Sequence, residues 1–247
     1  MAIAGGHIQL DSTEGMDRIS QTEKVTSPYF SDGLSTLSAD NITTASNLTA
    51  TNTTYFNGIA DTATPTTEEF NVAFGSKNGY GVNLESGTIS ETKVIYGQFA
   101  NLLLQPTEVT GGFHISSPAT DSAISSGPDD EIFILSARRS NMKDRLNKGS
   151  WEIQLSGSLS TGTGSSLLKL IDDSSTTEPT ATPVGDRYNV VSGSDTTIHS
   201  ASSETNFGFF YPNLGKIVLS QQELSRSIQG HSGSAATGAN FNFISNI

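Results

Sequence analysis

The chain has 247 residues, 34% of them hydrophobic and 15% charged, with a formal net charge of −12. That length suits one large domain or two small ones, and the Ser, Thr, Gly and Asn that fill the rest imply short strands and long polar connections rather than a disordered polyelectrolyte. An acidic surface repels phosphates and argues against nucleic acid as a partner, the absence of cysteine excludes disulfides and thiolate chemistry, and no window approaches the roughly 20 apolar residues of a membrane-spanning helix.

The charge is uneven. Residues 1–130 carry four basic and fifteen acidic side chains, and from 131 onward there are nine basic and ten acidic. The opening MAIAGGHIQLDSTEG has no basic region followed by an apolar run. No signal peptide is therefore expected, and the protein is expected to stay soluble in the cytosol where it is made.

Residues 1–57 read as an extended polar arm and 58–247 as a β-rich structural domain. The arm has scattered apolar residues such as Ile8, Tyr29 and Ile42, but no sustained period of 2 or 3.6. Such a segment cannot offset its own ordering entropy, so it is expected to order only against a partner. Its N-x-[ST] triplets at Asn41, Asn47 and Asn52 mean nothing without a secretion signal.

In EEFNVAF (68–74), Phe70, Val72 and Phe74 alternate onto one face, as in a half-buried strand. The following GSKNGYG reads as a turn; its glycines lack the G-K-[ST] of a phosphate loop. The spacing predicts an amphipathic helix over 89–105, with Thr88 and Glu91 as a capping box and Pro106 as its stop. Ile95, Phe99, Leu102 and Leu103 form the expected apolar stripe, and Gly97 suggests a close helix contact.

A short apolar piece, GGFHISSP (111–118), precedes a loop and then a series of strands at 131–137, 151–156, 166–171, 187–192, 205–211 and 216–219. Pro212-Asn213-Leu214-Gly215 makes the last two a hairpin. Ser220 with Glu223 opens a short helix ending near Gln229, capped by Gly230. The fold class is therefore mainly β: an antiparallel sheet or sandwich with one amphipathic helix against it and an extended N-terminal arm. The expected core is Phe133, Leu135, Trp151, Ile153, Leu155, Leu168, Leu170, Tyr188, Val190, Phe209 and Tyr211.

No constellation points to catalysis or to a metal. His7, His114, His199 and His231 lie in separate segments without metal-ligand spacing. Asp129/Asp130 and Asp172/Asp173 could ligate Ca²⁺ but serve equally as turn formers, and that is the reading preferred here. No G-x-S-x-G elbow is present. No cofactor is expected. The one dense basic cluster is Arg138, Arg139, Lys143, Arg145 and Lys148. It reads as a solvated loop or a contact with acidic neighbours, hence a candidate subunit interface.

The stretches KDRLNKGSWEIQLSGS, LLKLIDDSS, RYNVVSGS and FGFFYPNLGKIVLS, with ETKVIYGQFANLLLQP upstream, together resemble a module of virion structural proteins of marine T4-like tailed phages, cyanophages in particular. The resemblance covers residues 68–247 and leaves the arm outside. It implies a particle component rather than an enzyme, placed in the tail or baseplate after synthesis in the host cytoplasm. Its partners would be other virion proteins and further copies of itself in a symmetric particle, with neither nucleic acid nor membrane among them. A capsid decoration or neck protein is the alternative, and a glycan-binding tail protein a further one. Many members of that family are longer, which fits the abrupt end of this sequence at Ile247.

Overall fold

A computed structural model describes residues 24–26, 37, 42–46, 55–80, 90–115, 127–158, 165–199 and 205–227. In chain order these form strands β1 (Val25–Thr26), β2 (Ile42–Ser46), β3 (Phe56–Asp61) and β4 (Glu68–Ser76). Helix α1 (Glu91–Leu103) follows, then β5 (Glu131–Ala137), a 3₁₀ turn (Arg139–Asn141), β6 (Arg145–Leu146), β7 (Ile153–Ser158) and β8 (Ser165–Asp172). The chain continues through β9 (Thr180–Thr182), β10 (Gly185–Ser194), β11 (Thr197–Ile198), β12 (Asn206–Tyr211) and β13 (Lys216–Ser220) to α2 (Gln221–Ser227).

Eleven strands make one antiparallel sheet in the order β2-β3-β4-β5-β13-β12-β10-β8-β7, with β9 and β11 also pairing β10. The path of hydrogen-bonded neighbours is unbroken, so the chain adopts the single sheet of the expected alternatives rather than a two-sheet sandwich. The sheet curls until residues from its opposite ends share one apolar cluster on the concave face. Ile59, Val72 and Phe74 from one end join Leu155, Leu168 and Leu170 from the other, with Phe133, Phe210 and Leu219 between them. The convex face carries a second cluster of Ile132, Ile134, Phe209, Tyr211 and Val218, covered by Tyr96, Ala100 and Leu103 of α1.

The central strands are apolar on both faces because both faces are covered. In EIFIL, Phe133 and Leu135 face the concave side while Ile132 and Ile134 face the helix. The expected core residues thus divide between two clusters: Phe209 and Tyr211 lie under the helix and the others on the concave side, with Trp151 and Ile153 only partly buried. β12 sends aromatics both ways through a bulge. Val190 pairs Gly208 but Val191 pairs Asn206, so Phe207 is an extra residue that turns inward beside Phe210. The expected turn at 212–215 forms as a 3₁₀ turn, with Gly215 at φ 60 closing the β12–β13 hairpin.

α1 departs from expectation in three respects. It begins after Ser90 rather than Thr88, which lies outside the described residues, and the Ser90 hydroxyl donates to the Gly79 carbonyl (2.9 Å) instead of capping the helix. Its buried face is Thr92, Tyr96, Ala100 and Leu103; Ile95 and Phe99 sit at the rim, and Leu102 is 42% exposed. Gly97 faces open space. The close approach lies on the sheet instead, where a Cβ on Gly75 would stand 3.1 Å from the Tyr96 backbone.

Pieces of the expected arm pair with the same molecule. β2 runs antiparallel to β3 at the sheet edge, from Ile42↔Asp61 to Ser46↔Asn57. β3 itself crosses the expected 57/58 boundary. β1 lies parallel to β6 (Val25↔Arg145, Thr26↔Leu146). The expected end of α2 at Gln229–Gly230 falls outside the described residues, but the Ser220 hydroxyl accepts the Glu223 N–H (3.2 Å) as the expected cap.

Candidate functional site

The segment between β5 and β7 carries the basic cluster, and its course decides where each cation goes. Arg138 and Arg139 are exposed, and Arg139 reaches the Asp144 carbonyl (3.5 Å). Lys143 is exposed and Arg145, on β6, is half-buried. Beside them Asn141 donates to the buried Glu69 carboxylate (3.0 Å). Lys24 and Asp144 bond reciprocally: the Lys24 N–H donates to the Asp144 carboxylate (2.7 Å), and the Asp144 N–H to the Lys24 carbonyl (3.0 Å). The N-terminal segment is thus fastened along the basic segment. Lys148 is exposed and has an aromatic partner. Its ammonium donates to the Tyr188 hydroxyl (2.9 Å) and sits 5.2 Å from that ring's centre. The hydrogen bond to Tyr188 raises its pKa above the ordinary lysine value.

Past Lys148 the chain reverses at Gly149, which takes φ 69. The Gly149 N–H donates to the buried Asp172 carboxylate (2.8 Å), whose other oxygen accepts the Ser174 N–H (3.2 Å). This staple holds the loop against the end of β8 and sets Lys148 and Trp151 around a cavity of about 310 Å³. Ile171 contributes an apolar wall, and Ser174, Ser175 and Thr196 bring hydroxyls. Trp151 packs edge-on against Phe210 of the concave core, with ring centres 5.2 Å apart. Its indole N–H is buried without an acceptor among the described residues.

The far wall is the two-residue turn from β10 to β11, where Ser194 pairs Thr197. Asp195 (φ 48) and Thr196 (φ 65) both adopt left-handed backbone. A primed hairpin turn requires that conformation, but it is unusual for a β-branched residue. The turn packs down on Ile171 because Gly193 has no Cβ in the way.

The two acidic pairs act as turn and loop fasteners. Asp173 accepts the Asn189 N–H (2.9 Å) and side-chain amide (2.8 Å), and burial raises its pKa against those bonds. Asp129 is the more connected. Its carboxylate accepts the Ile115 N–H (2.8 Å) and the Ser220 hydroxyl, while its carbonyl accepts the Tyr96 hydroxyl (2.8 Å). Asp130 accepts from Asn78 (3.1 Å). Among the described residues no group of three or more His, Asp or Glu is placed to hold a metal ion. His114 and His199 are exposed and far apart in the chain, His199 lying near Ser192 and Ser194; His7 and His231 fall outside the described residues.

Comparison with protein-family models, with curated proteins and with solved structures finds no match to this chain.

The sequence reading named Lys148 and Trp151 but did not join them to Asp172 and Thr196. The available signal was Gly149 between the first two and the acidic turn after β8. Neither reveals on its own that the two loops meet.

Proposed function

We propose that the chain is a structural subunit of a tailed-phage virion, a tail or baseplate component that joins its neighbours through its N-terminal arm and its sheet edges. The observation that carries this reading is the pairing of Val25–Thr26 with Arg145–Leu146. It is strand addition in miniature, in which the N-terminal segment recognises the basic segment through its backbone. A two-residue bridge is small enough to be exchanged for the same bridge on another copy. The residues between β1 and β2, 27–41, span at most about 50 Å when fully extended, enough to reach a neighbouring subunit.

The sheet edges support the same reading. Among the described residues β7 pairs only with β8, and β2 only with β3. β7 contains no proline or charged residue, and the adjacent Glu152 is paired with Lys169 (2.7 Å). Such an edge has few of the features that block addition of a further strand. The motifs from KDRLNKGSWEIQLSGS to FGFFYPNLGKIVLS supply the link to the phage family.

The test is charge reversal of the basic segment, at the exposed Arg138 and Arg139 and the half-buried Arg145. An Arg138→Glu, Arg139→Glu, Arg145→Glu variant should keep its circular dichroism spectrum yet fail to enter particles. Incorporation at the wild-type level, measured by mass spectrometry of purified virions, would refute the interface. Cryo-electron microscopy of the particle then separates tail or baseplate from a head decoration or neck position.

A further inference from the structure

We propose that the cavity beside Trp151 is a binding site for a single unit of a neutral sugar. It is a separate property of the free subunit and does not depend on how the particle is built. A volume of about 310 Å³ is at the lower end of small-ligand sites, which run from about 300 to 1,000 Å³. That is room for one ring and its substituents.

The lining selects the chemistry. Trp151 and Ile171 give an apolar surface for the C–H face of a ring, and Ser174, Ser175 and Thr196 give hydroxyls that both donate and accept. The two charged groups at the wall have opposite sign. The Lys148 ammonium keeps donors beyond the one it gives Tyr188, and each Asp172 oxygen keeps a lone pair beyond its one backbone N–H. A strongly anionic ligand would face Asp172 and a cationic one Lys148. A neutral polyol satisfies both.

The second observation is the backbone of the far wall. Thr196 lines the cavity at φ 65, a conformation that Gly or Asn adopts far more readily. Strain of this kind collects at ligand sites, where it fixes the direction of a side chain. Here a glycine would relax the turn and lose the hydroxyl. Ser175 also donates to the Thr196 carbonyl (3.3 Å), tying the two rims of the cavity together.

Trp151 is the only tryptophan, so its emission reports on this cavity alone. Purified protein is titrated with methyl glucoside, galactose, mannose, N-acetylglucosamine and, as the charged counterpart, glucuronate. A saturable emission change with at least one neutral sugar is expected, with a dissociation constant of about 1–10 mM. In Thr196→Gly and Ser174→Ala the same titration should weaken by about fivefold or more, with unchanged circular dichroism. No saturable response to any neutral sugar overturns the proposal, as does a response to glucuronate alone. A response unchanged in both variants places the binding elsewhere and overturns it too.

Discussion

Asp129 shows how much one buried carboxylate can hold in a chain this polar. It is 3% exposed and links the 111–115 segment, α1 through Tyr96, and the cap of α2 through Ser220. Asp129→Ala leaves the Ile115 N–H without its acceptor in a buried place, so a loss of about 3 kcal/mol in urea unfolding is expected. Asp129→Asn keeps a carbonyl oxygen for that N–H and should lose about half as much. The sequence made Asp129 legible as a turn residue, from Gly127-Pro128-Asp129-Asp130. Its partners were not legible, because Ile115, Tyr96 and Ser220 lie 14, 33 and 91 positions away.

Tyr211 gives the opposite case at the same scale. It is fully buried, its hydroxyl makes no well-formed hydrogen bond among the described residues, and burial pushes its pKa up to about 12. Arg187, stacked 4.2 Å above the Phe209 ring centre, lies near enough to pull that pKa down but does not make a well-formed hydrogen bond. An unfolded tyrosine ionises near pH 10. Below that pH both states keep the proton and stability is unaffected. Between about pH 10 and 12 only the unfolded chain loses it, so about 2–3 kcal/mol of stability should disappear over that window. Lys216, lowered by burial, works the other way below its unfolded value, so the comparison must be between wild type and Tyr211→Phe. The variant should unfold at the same denaturant concentration at pH 8 or slightly above it, and should lose less stability from pH 10 to 12. An identical alkaline decline in both proteins would remove Tyr211 as its source.

At the scale of elements, the sequence was legible wherever local pattern and burial agree. β5 could be read because four apolar residues in a row have few other uses, and β4 because Phe70, Val72 and Phe74 alternate. β2 and β3 could not be read. ITTAS and FNGIAD have no alternation of their own, and they form strands because β4 offers β3 an edge with matching register and β3 in turn offers one to β2. α1 was found but rotated by about one residue. Leucine weighed more than Thr92 and Tyr96 in the stripe, yet Tyr96 is buried for its hydroxyl bonds to Asp129 and Phe113 as well as for its ring. The two glycines at this helix give a paired prediction. Gly97→Ala meets nothing within 4 Å and removes a helix-interior glycine, so it should stabilise by about 1 kcal/mol. Gly75→Ala places a methyl 3.1 Å from the helix backbone and should cost about 1–3 kcal/mol. Thermal unfolding of the two variants should shift in opposite directions. A stabilising Gly75→Ala would mean that α1 can move off the sheet freely.

At the scale of the whole molecule, the concave cluster joins strands from both ends of the sheet, from Ile59 to Leu155, so β3–β5, β7, β8, β10, β12 and β13 are expected to unfold as one cooperative unit. The segment before β2 is a different matter. Among the described residues, neither core cluster draws on residues before Tyr55, and β1 pairs with β6 and is fastened beside it by the Lys24–Asp144 bonds. Deletion of residues 1–41 should therefore move the melting temperature by only a few degrees, corresponding to about 1 kcal/mol or less. Under the proposed assembly role, the same deletion should abolish entry into particles, since it removes the strand that the basic segment pairs with. The two readouts separate two roles for the segment. A large drop in melting temperature would make β1 part of the fold itself. An unchanged melting temperature with normal particle entry would overturn the proposed arm contact, and a lysine or proline placed in β7, which among the described residues pairs only with β8, would then test the proposed sheet-edge contact.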